Sequence, residues 1–443
     1  MKGQFKDVAG SIVAPRGFKA AGVFCDIKRL GTGKGSDKGR KRDLALIVSD
    51  RPAVVAGMFT TNQVCAAPVK VCQARVKRGI AQAIVANSGN ANACTGKQGF
   101  AGALGMANFT DLTLALPVGS SLVASTGRIG LRLPMDQVRA GIIEAATELG
   151  ATPQHADQAA EAILTSDTTA KQVAVEFKLG GQSVRIGGIC KGAGMIQPGM
   201  SASGRRPAAV PLHATMLCFV TTDAAIRAPA LQAALTEAVA HSFNRITVDG
   251  DMSTNDTVLV LANGAAGPKS PIRTPKSRGF DVFQAALTRV CLELAKMIVH
   301  DGEGVSRFVT VRVTRARSFA DADAAARAVA NSALVKTSWH GGDPNWGRIM
   351  DAIGYSPATV VEEKIDIGYS APGSAKILWS LKRGQPTKAT FAQLCTAVAA
   401  PAFDLHINLN LGRAAAVIYA ADLTEDYVEF NKGNVSDPAA LGG

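Results

Sequence analysis

KGAGMIQPGM (residues 191–200) is followed, after a run rich in Gly, Pro and Arg, by HATMLCFVTTDA (residues 213–224). A small residue, Ala214, precedes Thr215, and an apolar strand-like stretch follows it. A Thr hydroxyl held in a strained bend can attack the carbonyl before it. The acyl group then moves from nitrogen to oxygen, and water releases a new N-terminus. The freed α-amine becomes the base for its own hydroxyl, the Thr form of an activated nucleophile. An Ala-Thr step also begins an ordinary buried strand, so the rest of the chain has to decide between these readings.

At 443 residues, 47% hydrophobic and 19% charged, the chain is long enough for two or three core-bearing units. Aromatics make up 5% and there are 45 Gly, which points to aliphatic cores and many tight turns. The start, MKGQFKDVAGSIVAPRGFKAAG, has no apolar region of the secretory kind, and no stretch approaches a membrane span. A cytoplasmic location with no membrane partner is the expectation. The eight Cys include no CxxC pair, so buried thiols are expected rather than a zinc knuckle or a disulfide framework. Six dispersed His without HExxH give no metal site.

The net charge of +13 raises the possibility of a nucleic-acid binder. The excess, however, lies largely in loop-like segments such as 34–42 and 268–278, where few aromatics interleave to stack on bases. No nucleic-acid partner is expected, and steering of acidic metabolites is the modest use for the charge.

Along the chain, LALIVSD (44–50) and AVVAGMFTTN (53–62) read as two strands, and AQAIVANSGNANACTG (81–96) as a strand entering an Asn/Gly-rich loop that is either a site edge or a set of tight turns. LVASTGRIG (122–130) repeats that pattern and would present backbone N–H groups in an open loop, the geometry an oxyanion hole needs. Val138, Ile142, Ile143, Ala146 and Leu149 keep helical spacing, and ADQAAEAIL forms a second helix. QVAVEFKLGGQSVRIGGICKG alternates and turns at Gly180-Gly181, a hairpin that brings Lys191 beside the Thr215 region. Bare backbone in GAGM leaves room there for a ligand carboxylate. A helix with Leu231, Leu235, Val239 and Phe243 precedes VDGDMSTNDT (248–257), whose spacing does not match a calcium loop. An amphipathic helix over 280–299 places Glu303 at a helix-to-strand turn. SALVKTSWHGGDPNWGRIMDAIG reads as strand, loop and helix, and Asn431 and Ser436 lie in the tail.

Nine segments in order then resemble the glutamate N-acetyltransferase (ornithine acetyltransferase) family of arginine biosynthesis. They are GMFTTN, NSGNANACTG, ASTGRIG, KGAGM, ATML with TTDA, VDGDMSTNDT, DGEG, DPNWGR and DLTEDYVEFN. The resemblance implies an α/β fold of two units with layered sheets and helices, of the self-cleaving N-terminal-nucleophile kind. Cleavage between Ala214 and Thr215 would give a 1–214 α fragment and a 215–443 β fragment, assembled as an α2β2 heterotetramer. Thr215 would be the nucleophile, with Thr126 and Gly127 as the oxyanion hole. Thr165, Lys191, Thr215, Glu303, Asn431 and Ser436 would contact substrate, Lys191 suiting the α-carboxylate and Glu303 the ornithine ammonium. The implied reaction moves acetyl from N2-acetylornithine to glutamate without a resident cofactor, and the sequence leaves open whether acetyl-CoA also serves as donor. The alternative is a related self-cleaving aminopeptidase or amidase that hydrolyses instead. The chain departs from the family in an insert, SASGRRPAAVPLH (201–213), and in Arg128, which stands where an apolar residue is common.

Overall fold

The computed structural model describes residues 4–28, 41–205, 216–267 and 271–432. These fall into two compact units, one drawn from residues 4–244 and 251–298, the other from Arg245–Gly250 and Val299–Lys432. Ala214, Thr215, Ser436, most of the 201–213 insert and parts of both basic segments lie outside the described residues.

The first unit is built on β1 (Lys6–Asp7), β2 (Phe18–Val23), β3 (Leu44–Phe59), β4 (Ile80–Asn90), β5 (Ser121–Arg128), β6 (Lys171–Leu179), β7 (Gln182–Lys191), β8 (Leu217–Thr222) and β10 (Thr257–Ala262). Over the described residues they form one sheet in the order β1-β6-β7-β8-β10-β3-β4-β5, with β2 also paired to β3. The two strands expected over 44–62 are a single strand, because a register shift between Val48 and Ala53 absorbs the Arg51-Pro52 interruption without ending the ladder. Helices α1 (Ala67–Val76), α2 (Gly96–Thr113), α3 (Met135–Thr147), α4 (Pro153–Ala162) and α5 (Ala228–Ala240) complete this unit, together with residues 280–298 of α6 (Phe280–His300). In α3 the buried stripe is Val138, Gly141, Ile142 and Ala145, while Ile143 is exposed, one step off the expected face. The β6–β7 hairpin forms as read, with Gly180 and Gly181 both at positive φ.

β8 lies in the middle of this sheet. It pairs antiparallel with β7 and parallel with β10, and β10 in turn pairs antiparallel with β3. All six residues of β8 and all six of β10 are buried, which matches their continuous apolar sequence rather than an alternating one.

The second unit holds β9 (Ile246–Thr247), β11 (Phe308–Ala316), β12 (Asp366–Ser370), β13 (Leu378–Lys382), β14 (Gln385–Pro386), β15 (Ala402–Asn408) and β16 (Ala414–Ala421) in the order β14-β13-β12-β15-β11-β16-β9. Its helices are α7 (Phe319–Asn331), α8 (Ala333–His340), α9 (Trp346–Gly354), α10 (Phe391–Val398) and α11 (Glu425–Asn431). Alternation in RFVTVRV puts Val309, Val311 and Val313 into a core with Trp339, Phe403 and Tyr369. SALVKTSW, expected as a strand, is helix α8. Ser332 accepts the Val335 N–H and caps it, so a local capping signal overrides the β-branched run. The two strand runs flanking 248–256 belong to different sheets, β9 in the second unit and β10 in the first.

Candidate functional site

Thr126 and Gly127 are not in an open loop. They end β5, whose parallel pairing with β4 becomes irregular there, Asn90 facing both Thr126 and Arg128. Gly127 has φ 124°, and a Cβ on it would lie 2.4 Å from the carbonyl carbon of Gly89. Gly89 in turn has φ 102° and runs against the Lys28 backbone. Gly127 therefore lets the end of β5 approach β4, and Gly89 lets the end of β4 approach the Lys28 backbone, closer than any side chain permits. The other residues of the Asn/Gly motif brace these ends. Ser125 Oγ donates to Asn87 Oδ1, Asn87 Nδ2 to Asn90 O, Asn90 Nδ2 to Leu131 O and Arg132 O, and Asn92 Nδ2 to Gly99 O. Arg128 is buried at the end of the strand, its carbonyl taking the Ala91 N–H.

The polar run 253–256 ties three strand ends together. Thr60 Oγ1 donates to Ser253 O, and Asn255 Nδ2 donates to both Ala91 O (2.7 Å) and Ser125 O (2.8 Å). Asp256 Oδ1 accepts the Met216 N–H at 2.5 Å, at the amide joined to Thr215. Asp256 is fully buried. Burial, only partly offset by the Met216 amide and Lys191, holds its carboxyl well above the ordinary range.

Lys191 closes β7, with Leu217 as its cross-strand partner on β8. Its Nζ stands 3.8 Å from Asp167 Oδ2, while Lys171 Nζ stands 2.7 Å from Asp167 Oδ1. The same carboxylate accepts from Gly192 N (2.6 Å) and Thr165 N (3.0 Å). All three side chains are buried. Burial alone would raise the Asp167 carboxyl, but Lys191, Lys171 and the Gly192 amide outweigh it and hold it well below the carboxylate range. Asp167 thus holds both Lys171 and Lys191 at one buried carboxylate. In the second unit, Asn431 at the end of α11 donates through Nδ2 to Glu303 Oε2 at 2.9 Å.

Among the buried side-chain atoms lacking any hydrogen-bond partner are Thr126 Oγ1 and Asp256 Oδ2. Each such atom costs about 1–3 kcal/mol if left unsatisfied, and native proteins leave few. The Asn255 side chain donates to Ser125 O, which links the residue before Asp256 to the residue before Thr126. Thus, in the first unit, Thr126 and Gly127 lie at the end of β5, Lys191 ends β7 and Thr165 sits in the loop before β6, and the second unit pairs Glu303 with Asn431. Sequence reasoning missed Asp167, Asn255 and Asp256. The density of Asp, Asn, Ser and Thr in 253–256, between two apolar strands, was the signal for the last two.

Five of the Cys are buried, and Cys94 is exposed. Among the described residues no His, Cys, Asp or Glu group could hold a metal, and no helix is long and apolar enough to cross a membrane.

Fold and site together define an α/β protein of two sheet-bearing units, with a buried polar site at strand ends of the first. The model of the ArgJ family matches residues 19–434, and the chain belongs to that family. The arginine biosynthesis bifunctional protein ArgJ of Symbiobacterium thermophilum is 45% identical over 424 residues, covering 96% of this chain and 98% of its own. That of Geobacter sulfurreducens is 43% identical over 420 residues, covering 94% and 98%. A solved chain of ornithine acetyltransferase from Mycobacterium tuberculosis, in complex with ornithine, is 38% identical with a TM-score of 0.40, covering 44% of this chain and 100% of that one.

Proposed function

We propose that the chain is an acetyltransferase that moves acetyl from N2-acetylornithine to glutamate through an acetyl-Thr215 intermediate. The observation that carries the reading is the buried, unpartnered Thr126 Oγ1 at the glycine-cleared end of β5, tied through Asn255 to the carboxyl that grips the amide next to Thr215. Membership of a family whose relatives are named for arginine biosynthesis supports it.

In the first half-reaction Thr215 Oγ attacks the acetyl carbonyl of N2-acetylornithine, and its proton passes to the α-amine. Thr126 and Gly127 stabilise the oxyanion with dipoles fixed beforehand. The amine returns the proton to the leaving nitrogen, and ornithine departs. The glutamate amine then attacks the acetyl ester and releases N-acetylglutamate. Lys191, held by Asp167, takes the α-carboxylate, and Thr165 lies on the same carboxylate anchor. Glu303, Asn431 and Ser436 contact the remainder of the substrate. No resident cofactor takes part, and acetyl-CoA is a candidate second donor.

Cleavage at Ala214–Thr215 separates β8 and β10 covalently from β3 and β7, yet those strands are neighbours within one sheet. The shared sheet supports fragments 1–214 and 215–443 that stay associated after cleavage, and the α2β2 heterotetramer and the cytoplasmic location are taken from the resemblance. The test is N-terminal sequencing of the bands on a denaturing gel, then intact mass after N2-acetylornithine alone. One band beginning at Thr215, acetylated once and cleared by glutamate, is expected, with parallel double-reciprocal lines. Acetate release without glutamate dependence would instead mean the amidase reading. An N-terminus elsewhere would refute the assignment of Thr215.

A further inference from the structure

We propose that Asp422 is a positioning residue for Glu303, and through it a determinant of selectivity for a substrate with a cationic side-chain terminus. It rests on the reading of Glu303 as the contact for the ornithine ammonium and adds a residue behind it.

Sheet register brings the two segments together. Phe308, which starts β11, faces Ala421, which ends β16, in an antiparallel pair, so the loop entering β11 and the segment leaving β16 run side by side. Asp422 is buried there. Its Oδ1 accepts the Ser306 and Arg307 N–H groups, both at 3.0 Å, and its Oδ2 accepts the Ser306 hydroxyl. Its own N–H donates to Arg307 O at 3.2 Å. Further along, Thr424 Oγ1 donates to Gly304 O at 2.6 Å and caps α11 by accepting the Tyr427 N–H. Gly304 has φ 67°, and a Cβ on it would stand 2.3 Å from the Tyr427 nitrogen, so loop and helix meet backbone to backbone. The clasp ends at Glu303, whose Oε2 accepts from Asn431 Nδ2 at 2.9 Å.

Asp422 is the strong point of this clasp. No residue of α11 is buried, so polar contacts such as these, rather than a buried apolar face, hold it. The Glu303–Asn431 bond is exposed, whereas the donors on Asp422 meet a buried carboxylate and are charge-assisted. Helix α8 backs the anchor, with His340 Nδ1 3.5 Å from Asp422 Oδ2 and Lys336 Nζ donating to the adjacent Ala421 O. A carboxylate that must meet a substrate ammonium tolerates a displacement of no more than about 1 Å. Without Asp422 the loop is released at Ser306 and Arg307, next to the Glu303–Gly304 turn, and Glu303 drifts from its place.

The test compares two acetyl donors, N2-acetylornithine and N2-acetyl-L-norvaline, which lacks only the terminal amine, each with saturating glutamate. The readout is the ratio of their kcat/KM values. Partial unfolding lowers both rates equally, so a merely structural role leaves the ratio unchanged. Wild type is expected to favour N2-acetylornithine by about tenfold or more, Glu303→Gln to lose most of that preference, and Asp422→Ala to lower it by about fivefold or more. If D422A does not fold, Asp422→Asn decides. There Oδ1 still accepts both amides while Nδ2 replaces the acceptor for the Ser306 hydroxyl, and the ratio should fall by about twofold or more. A wild-type ratio in the variant that folds, with the ratio lowered in Glu303→Gln, overturns the role of Asp422 alone. A wild type without preference, or a Glu303→Gln enzyme that keeps it, means that Glu303 does not meet the ammonium, and both readings fall.

Discussion

Replacing Asp167 by Asn removes one negative charge from a buried cluster and takes a carboxylate away from two ammoniums at once. Lys171 Nζ lies 2.7 Å and Lys191 Nζ 3.8 Å from its carboxylate oxygens. At an effective dielectric of about 20 those separations correspond to attractions of roughly 6 and 4 kcal/mol. Desolvation offsets much of this, and breaking a buried pair from one side costs about 3–5 kcal/mol. Spread over a unit of about 300 residues unfolding with about 2.1 cal/mol/K per residue, that is a fall in Tm of about 5–8 °C at pH 7.

The deficit must also depend on pH, and its sign can be worked out. In the variant one lysine has its folded pKa depressed below its unfolded value near 10.4. The unfolded state then binds more protons in the intervening window, so stability rises with pH there and the deficit shrinks towards pH 10. In the wild type the depressed Asp167 carboxyl contributes stability above its unfolded pKa near 3.9, lost only as the pH falls through its lower folded value. Calorimetry of both proteins from pH 6 to 10 is the assay. A Tm difference under about 2 °C, or one constant across that range, would mean that the carboxylate does not neutralise the lysines.

Lys191→Ala should raise KM for both substrates about tenfold or more, the loss of a charge-assisted hydrogen bond worth about 1.5–3 kcal/mol, and unchanged KM would remove it from the carboxylate site. Gly127→Ala puts a methyl group 2.4 Å from Gly89 at φ 124°, so transfer activity should be lost with a drop in melting temperature, and a variant of normal activity would show that β5 can recede. Asn255→Ala strips the donor shared by Ala91 O and Ser125 O and should destabilise by about 1–3 kcal/mol in urea unfolding. A denaturation midpoint equal to wild type would show that the bridge is dispensable.

What the sequence determined by itself was local or carried by long ordered resemblance. The β6–β7 hairpin followed from alternation around Gly180-Gly181, α6 from its apolar period, and the β11 core face from RFVTVRV, because each pattern is a property of neighbours along the chain. Nine ordered motifs marked the family. The tertiary structure alone decided what those motifs touch. That Asp167 meets Lys191 as well as the nearby Lys171 depends on the hairpin returning towards 165–167, and that Asp256 meets the Met216 amide depends on a parallel register between strands separated by 34 residues of intervening chain. Such pairings join residues far apart in sequence and leave no period to read. The same limit explains the errors. A bulge kept 44–59 in one strand, a Ser332 cap made α8 a helix, and close glycine packing drew Thr126 and Gly127 into β5 rather than an open loop. Pairing with a neighbouring strand outweighed the local pattern in the first and last cases, and a local cap outweighed residue propensity in the second.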